Sequence, residues 1–109
     1  MTEKRVTLEK VRGWYAECGL KPCQNEWFRR DYETEKLECC PLGAWHLYHG
    51  GDARRSAAIC AANEYFGLSY VTGFIEGFDN RDYSMHFNSE YRMGYDDGEL
   101  ARKELFPLT

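Results

Sequence analysis

The feature that most restricts this chain is an internal echo. Tyr70-x-x-Gly73-Phe74-x-Glu76-Gly77 returns as Tyr91-x-x-Gly94-Tyr95-x-Asp97-Gly98, with every matched position 21 residues on. Each glycine inside a helix costs about 1 kcal/mol relative to alanine, so a sequence that carries two per helix needs something to offset the loss. Helical geometry supplies it. At about 100° per residue, Tyr70, Gly73, Phe74, Gly77 and Phe78 form one stripe, and Tyr91, Gly94, Tyr95, Gly98, Ala101 and Leu105 form another. Glycines four apart let a second backbone approach, and the flanking rings fill the hollow. Gly73, Gly77, Gly94 and Gly98 are therefore expected to be helix-packing residues, in an antiparallel hairpin of two helices. On the same arithmetic Glu76 lies about 130° from the centre of its stripe, and Asp97 occupies the matching place. Both are expected to face solvent rather than to form a carboxylate site.

Around this pair the chain reads as mainly α, a compact five-helix domain spanning 1–109. Thr7 can cap a first helix in which Leu8, Val11, Tyr15 and Cys18 share a face, stopped by Gly19 and Pro22. Pro41 suits the first turn of a second helix to about His49, ended by Gly50-Gly51. Asp52 is the expected cap of a third, small-residue helix through Ala57, Ala58, Ala61 and Ala62, apolar on most sides and hence central. Ser69 is expected to cap the fourth helix, and Asn88 or Ser89 the fifth, with Asp79–His86 as the loop between. Between helices one and two, Trp27-Phe28 can pair with Thr34–Leu37 as one short β-hairpin.

Composition narrows the function classes. Hydrophobic residues make up 43% and charged residues 29%, which suits a globular chain. No apolar run approaches the ~18 residues of a membrane span, and the stretch Met1–Thr7 lacks an apolar signal core. Five cysteines, two of them adjacent, make a poor disulfide framework. These features point to a cytoplasmic protein with reduced thiols and no membrane partner. Residues 1–55 hold 10 basic and 9 acidic groups, a balance of +1. Residues 56–109 hold 4 and 9, a balance of −5. Without a basic patch to neutralise phosphates, nucleic acid is not an expected partner.

Cys18, Cys23, Cys39 and Cys40, with His46 and His49, carry the residue types of a zinc site. Their spacing fits one poorly: the four-residue gap from Cys18 to Cys23 is at the limit, His46 and His49 stand too close, and adjacent Cys39-Cys40 cannot easily aim both sulfurs at one ion. No metal or other cofactor is expected. Cys40, at the cap of the Pro41 helix, is the candidate reactive thiol, because a helix N-terminus favours thiolate. No phosphate-cradling loop, nucleophile elbow or zinc-protease helix is present, so nothing argues for an enzyme. An active site drawn from Glu76, Asp97, His46 and His49 ranks last.

The segment Cys39-Cys40-Pro41-Leu42-Gly43-Ala44, taken with the two glycine–aromatic helices, resembles small bacterial proteins of uncharacterised function. That resemblance covers about half the chain. It implies a compact bacterial cytosolic domain and brings no activity, cofactor or site residue. The leading expectation is a small protein-interaction or accessory module, with a protein partner or self-association. Its candidate surface is Trp27, Phe28, Arg29, Arg30, Trp45 and Tyr48, because exposed aromatics and arginines favour interfaces. The alternative is a metal- or thiol-dependent protein using the cysteine cluster.

Overall fold

A computed structural model describes residues 4–84 and 88–107. The chain is mainly α, with α1 (Leu8–Cys18), α2 (Pro41–Tyr48), α3 (Arg55–Phe66), α4 (Leu68–Phe78) and α5 (Ser89–Leu105). Strands β1 (Lys21–Pro22), β2 (Phe28–Arg30) and β3 (Leu37–Cys39) form one small sheet in the order β1-β3-β2. The chain divides into two compact units, one of Met1–Leu8 with Ala62–Thr109, the other Glu9–Ala61.

In the unit Glu9–Ala61, α1 buries Val11, Trp14 and Tyr15 and ends at Gly19, which takes the expected left-handed conformation at φ 62°. The β-hairpin is present but displaced. β2 pairs antiparallel with β3, Phe28 opposite Cys39 and Arg30 opposite Leu37. The turn from Asp31 to Lys36 consumes residues expected in the strands, because Glu35 adopts φ 59° and its amide returns to the Asp31 carbonyl. Strand β1 joins β3 in parallel, a pairing too short to leave a period in the sequence. Cys40 caps α2 as expected, its sulfur accepting from the Gly43 amide at 3.4 Å, with Pro41 next in the first turn. A Cβ at Gly43 would lie 2.7 Å from the Trp27 carbonyl and 3.1 Å from the Phe28 ring, so glycine lets α2 lie directly on the hairpin.

Three expectations about helix starts and centrality fail. α3 begins at Arg55, not after an Asp52 cap; the Asp52 carbonyl accepts from Arg54 in a turn, and the Arg54 carbonyl starts the helix. α3 also buries a single line, Ala58 and Ala62, while Cys60 and Tyr65 are exposed, so it is no central helix. α4 starts at Leu68 behind Gly67 (φ 97°), and Ser69 Oγ instead accepts from Asn88 Nδ2 at 2.9 Å. Asn88 is the cap of α5, accepting from the Tyr91 amide at 2.9 Å. Met85 and His86, the end of the expected loop, lie outside the described residues.

The packed centre of the other unit is α4 against α5. The glycine stripes meet there: Gly73 faces the Tyr91 carbonyl, Gly77 that of Tyr95, Gly94 that of Tyr70 and Gly98 that of Phe74. A Cβ at any of the four would collide with backbone rather than with a side chain able to move. Such close approach also favours Cα–H···O contacts. The direction differs from the expected antiparallel hairpin. Contacts advance together along both helices, from Asn88–Ser69 at the starts to the Phe78 and Phe106 rings, 6.0 Å apart, at the ends. The helices therefore run parallel. An 11-residue helix is only about 16 Å long, so the connection 79–88 has length enough to return along it.

Candidate functional site

The parallel pairing turns the sequence echo into a local pseudo-twofold relation, and polar clusters lie at its two flanks. In the first, Tyr70 Oη donates to Asp97 Oδ2 at 2.5 Å and accepts from the Val6 amide at 2.8 Å. Arg5 closes this cluster with a two-pronged contact, Nε to Oδ2 at 3.0 Å and Nη2 to Oδ1 at 2.7 Å. In the second, Tyr91 Oη donates to Glu76 Oε1 and accepts from the Ser84 amide at 3.0 Å, while Ser84 Oγ donates to the same Oε1 at 2.7 Å. Each tyrosine thus reaches the acid of the opposite helix.

The expectation that both acids face solvent is overturned. Asp97 is buried at 7% exposure and Glu76 is half-buried. For Asp97 the reason is twofold. Its stripe continues to Ala101 and Leu105, which rotates the apolar centre to within about 90° of the acid. The segment carrying Arg5 and Val6 then covers that flank. Burial, followed by the bond to Asp97, pushes the Tyr70 phenol above its ordinary range. The acids belong to separate clusters and do not form a carboxylate pair.

The unit Glu9–Ala61 holds the cysteines. Cys23, Cys39 and Cys40 are buried at 1%, 0% and 2% exposure, whereas Cys18 and Cys60 are exposed. Tyr15 Oη donates to the Cys39 carbonyl at 2.6 Å. Burial first, then the neighbouring Cys40, Cys23 and Cys18, push the Cys39 thiol well above its usual range, so it is protonated at neutral pH. Among the described residues no group of three or more His, Cys, Asp or Glu side chains is placed to hold a metal ion. His46 Nε2 is buried without a hydrogen-bond partner, its ring lying over Gly51, and makes no bond to the Cys40 thiol.

This nest predicts a pH dependence. Burial, then Cys39, Cys40 and Cys23, also raise Tyr15 far above its ordinary 10.0. Both groups stay neutral in the folded chain while the unfolded chain ionises them near 9.0 and 10.0. Their contribution is complete below about pH 9 and falls as pH rises, by up to about 1.4 kcal/mol per pH unit per group. Urea midpoints are expected to drop between pH 8 and 11, and Tyr15→Phe to shallow the drop above pH 10. A stability flat across that range would contradict the burial of these groups.

The expected interaction surface is only partly assembled. Trp27 and Trp45 are buried at 7% and 8% exposure, and Phe28 is half-buried beside Gly43, so these three pack inward. Their residue types had suggested an interface, but the close approach of α2 to the hairpin encloses them. Arg29, Arg30 and Tyr48 are exposed. Arg29 pairs across the strands with Glu38 at 2.7 Å, and Arg30 Nη1 donates to the Glu35 carbonyl at 2.9 Å.

Tyr32, absent from the expected surface, stands at the hairpin tip with 94% exposure. Its turn is ordered from both sides. The Glu33 amide donates to Asp31 Oδ1 at 3.0 Å, which holds the Asp31 carboxyl below its ordinary range, and the Asp31 amide donates to the Lys36 carbonyl at 2.9 Å. The signal in the sequence was an aromatic set inside the polar turn Asp31-Tyr32-Glu33-Thr34-Glu35. No protein-family model, curated protein sequence or solved structure matches the chain.

Proposed function

We propose that this chain is a small protein-interaction module that engages its partner through the β2–β3 hairpin. The observation that carries this reading is Tyr32, an aromatic side chain 94% exposed on a turn already fixed by its own hydrogen bonds. An ordered turn lowers the entropy cost of binding, and tyrosine and arginine are the residue types that dominate interface energies. Arg29 and Arg30, exposed on the adjoining strand β2, supply charge near the turn. The five cysteines, none in a disulfide, support a reducing, cytoplasmic setting. Among the described residues no helix is long and apolar enough to cross a membrane. A bacterial origin, implied by the resemblance of the glycine–aromatic and Cys-Cys-Pro segments, belongs to the same proposal.

The test is photo-crosslinking in cells, with benzoylphenylalanine placed at position 32 or at the exposed Lys10. A discrete adduct is expected from position 32 alone, with yield reduced at least about fivefold by Arg29→Glu with Arg30→Glu. An adduct of twice the chain mass identifies the partner as a second copy. Equal labelling from both positions, or none from position 32, removes the hairpin as the docking element. Tyr32→Ser serves as the affinity variant: it should leave folding stability within about 0.5 kcal/mol, as expected for a surface site.

A further inference from the structure

The two tyrosine–carboxylate clusters share the same tyrosine bonds and differ in what else donates to the carboxylate. In each, a tyrosine hydroxyl donates to the acid of the other helix and accepts a main-chain amide, from Val6 in one cluster and Ser84 in the other. In the first cluster both carboxylate oxygens are engaged, because Arg5 spans Oδ1 and Oδ2 of Asp97. In the second, Tyr91 Oη and Ser84 Oγ both donate to Glu76 Oε1, and Oε2 accepts from none of the described residues. Ser84 thus stands where Val6 stands, and the guanidinium has no counterpart among the described residues. Glu76 is only half-buried, so its second oxygen can be reached from solution.

We propose that Glu76, held by Tyr91 and Ser84, is a binding site for an arginine side chain of a partner polypeptide, which it receives as Asp97 receives Arg5. The carboxylate is oriented in advance by two hydroxyl donors on one oxygen, which lowers the cost of fixing it. A planar guanidinium can then donate to Oε2 with one prong and, as the Ser84 hydroxyl turns from Oε1 to Tyr91 Oη 3.3 Å away, to Oε1 with the other, a geometry the point charge of a lysine does not match. The negative balance of residues 56–109, 4 basic against 9 acidic groups, attracts a cation of either kind at long range. Selection of arginine rests on the fork geometry. This site stands on different residues from the hairpin and does not depend on the reading of Tyr32.

The test is an amide-detected NMR titration of the full chain with Nα-acetyl-arginine N-methylamide, beside its lysine and citrulline analogues. The expected result is a saturable shift of the Ser84 and Tyr91 amides, with arginine at least about fivefold tighter than lysine and no saturation by uncharged citrulline. Glu76→Gln should weaken arginine at least about tenfold, the scale of a lost charge-assisted pair. Ser84→Ala, which leaves the carboxylate in place, should retain binding. Shifts at Val6 and Tyr70 instead, saturation by citrulline, or undiminished binding to folded Glu76→Gln would overturn the proposal. If Glu76→Gln does not fold, the arginine–citrulline contrast at Ser84 and Tyr91 in the unaltered chain decides it.

Discussion

Gly73→Ala and Gly94→Ala are each expected to destabilise the chain by about 3 kcal/mol or more, at the upper end for overpacked cores, whereas Gly13→Ala should stabilise it. The opposition in sign is the content of the prediction. In an open helix, alanine is favoured over glycine by about 1 kcal/mol. Gly13 lies within α1 with nothing inside 4 Å of an added Cβ, so it should show that gain. At Gly73 the added atom would meet the Tyr91 carbonyl, and at Gly94 that of Tyr70; both are backbone groups fixed by their own helices. Relief requires the helices to separate, which strips contacts from Phe74, Phe78 and Tyr91, all 0% exposed. Because the two sites are related by the echo, their costs should be similar, and the double substitution should leave no folded α4–α5 pair. Thermal unfolding followed by circular dichroism provides the measurement, with midpoints expected to fall by about 10 °C or more for each single variant. A fall under about 2 °C would mean that the helices do not pack through these glycines.

What the sequence made legible follows the range of the interactions. The caps at Cys40 and Asn88, the Gly19 stop and the four packing glycines rest on contacts within a turn or on helical period, and these were readable. The helix direction was not, because a stripe fixes which face is buried and says nothing of which way its partner runs. The Asp52 and Ser69 caps failed for a local reason: the chain enters α3 and α4 through Arg54 and through the left-handed Gly67, leaving those side chains outside the capping position. Trp27 and Trp45 were misplaced because burial is a property of what covers a residue. Here that cover depends on Gly43, whose missing side chain lets α2 approach the hairpin. The Arg5–Asp97 contact joins residues 92 apart and has no periodic signature at all. The reciprocal tyrosine–acid bonds occupy an intermediate position: the echo displayed all four residues, but only the parallel register shows which pairs meet.

A double-mutant cycle on Arg5 and Asp97 is expected to give the second large effect. Arg5→Met leaves the Asp97 carboxylate, 8% exposed, with Tyr70 as its remaining donor among the described residues, and should cost about 3 kcal/mol, as for other buried pairs broken from one side. Asp97→Asn should cost less, about 1.5–2 kcal/mol. Arg5 is 35% exposed and can turn its guanidinium to water, although the new amide presents donors to a donor. If the fork acts as one unit, the double variant loses less than the sum of the singles, with a coupling of about 1.5–3 kcal/mol. That coupling should persist in molar salt, because a largely enclosed pair is screened far less than two solvated ions. The same cycle bears on Val6, whose amide donates to the tyrosine that holds Asp97. Loss of the fork should therefore speed proteolysis in the segment around Arg5 before the helices themselves unfold, since local opening precedes global loss where few buried contacts hold a segment. Coupling below about 0.5 kcal/mol, or coupling abolished by salt, would reduce Arg5 to a surface ion pair. In that case the burial of Asp97 would rest on Tyr70 alone, and the likeness between the two clusters would no longer extend to a cation.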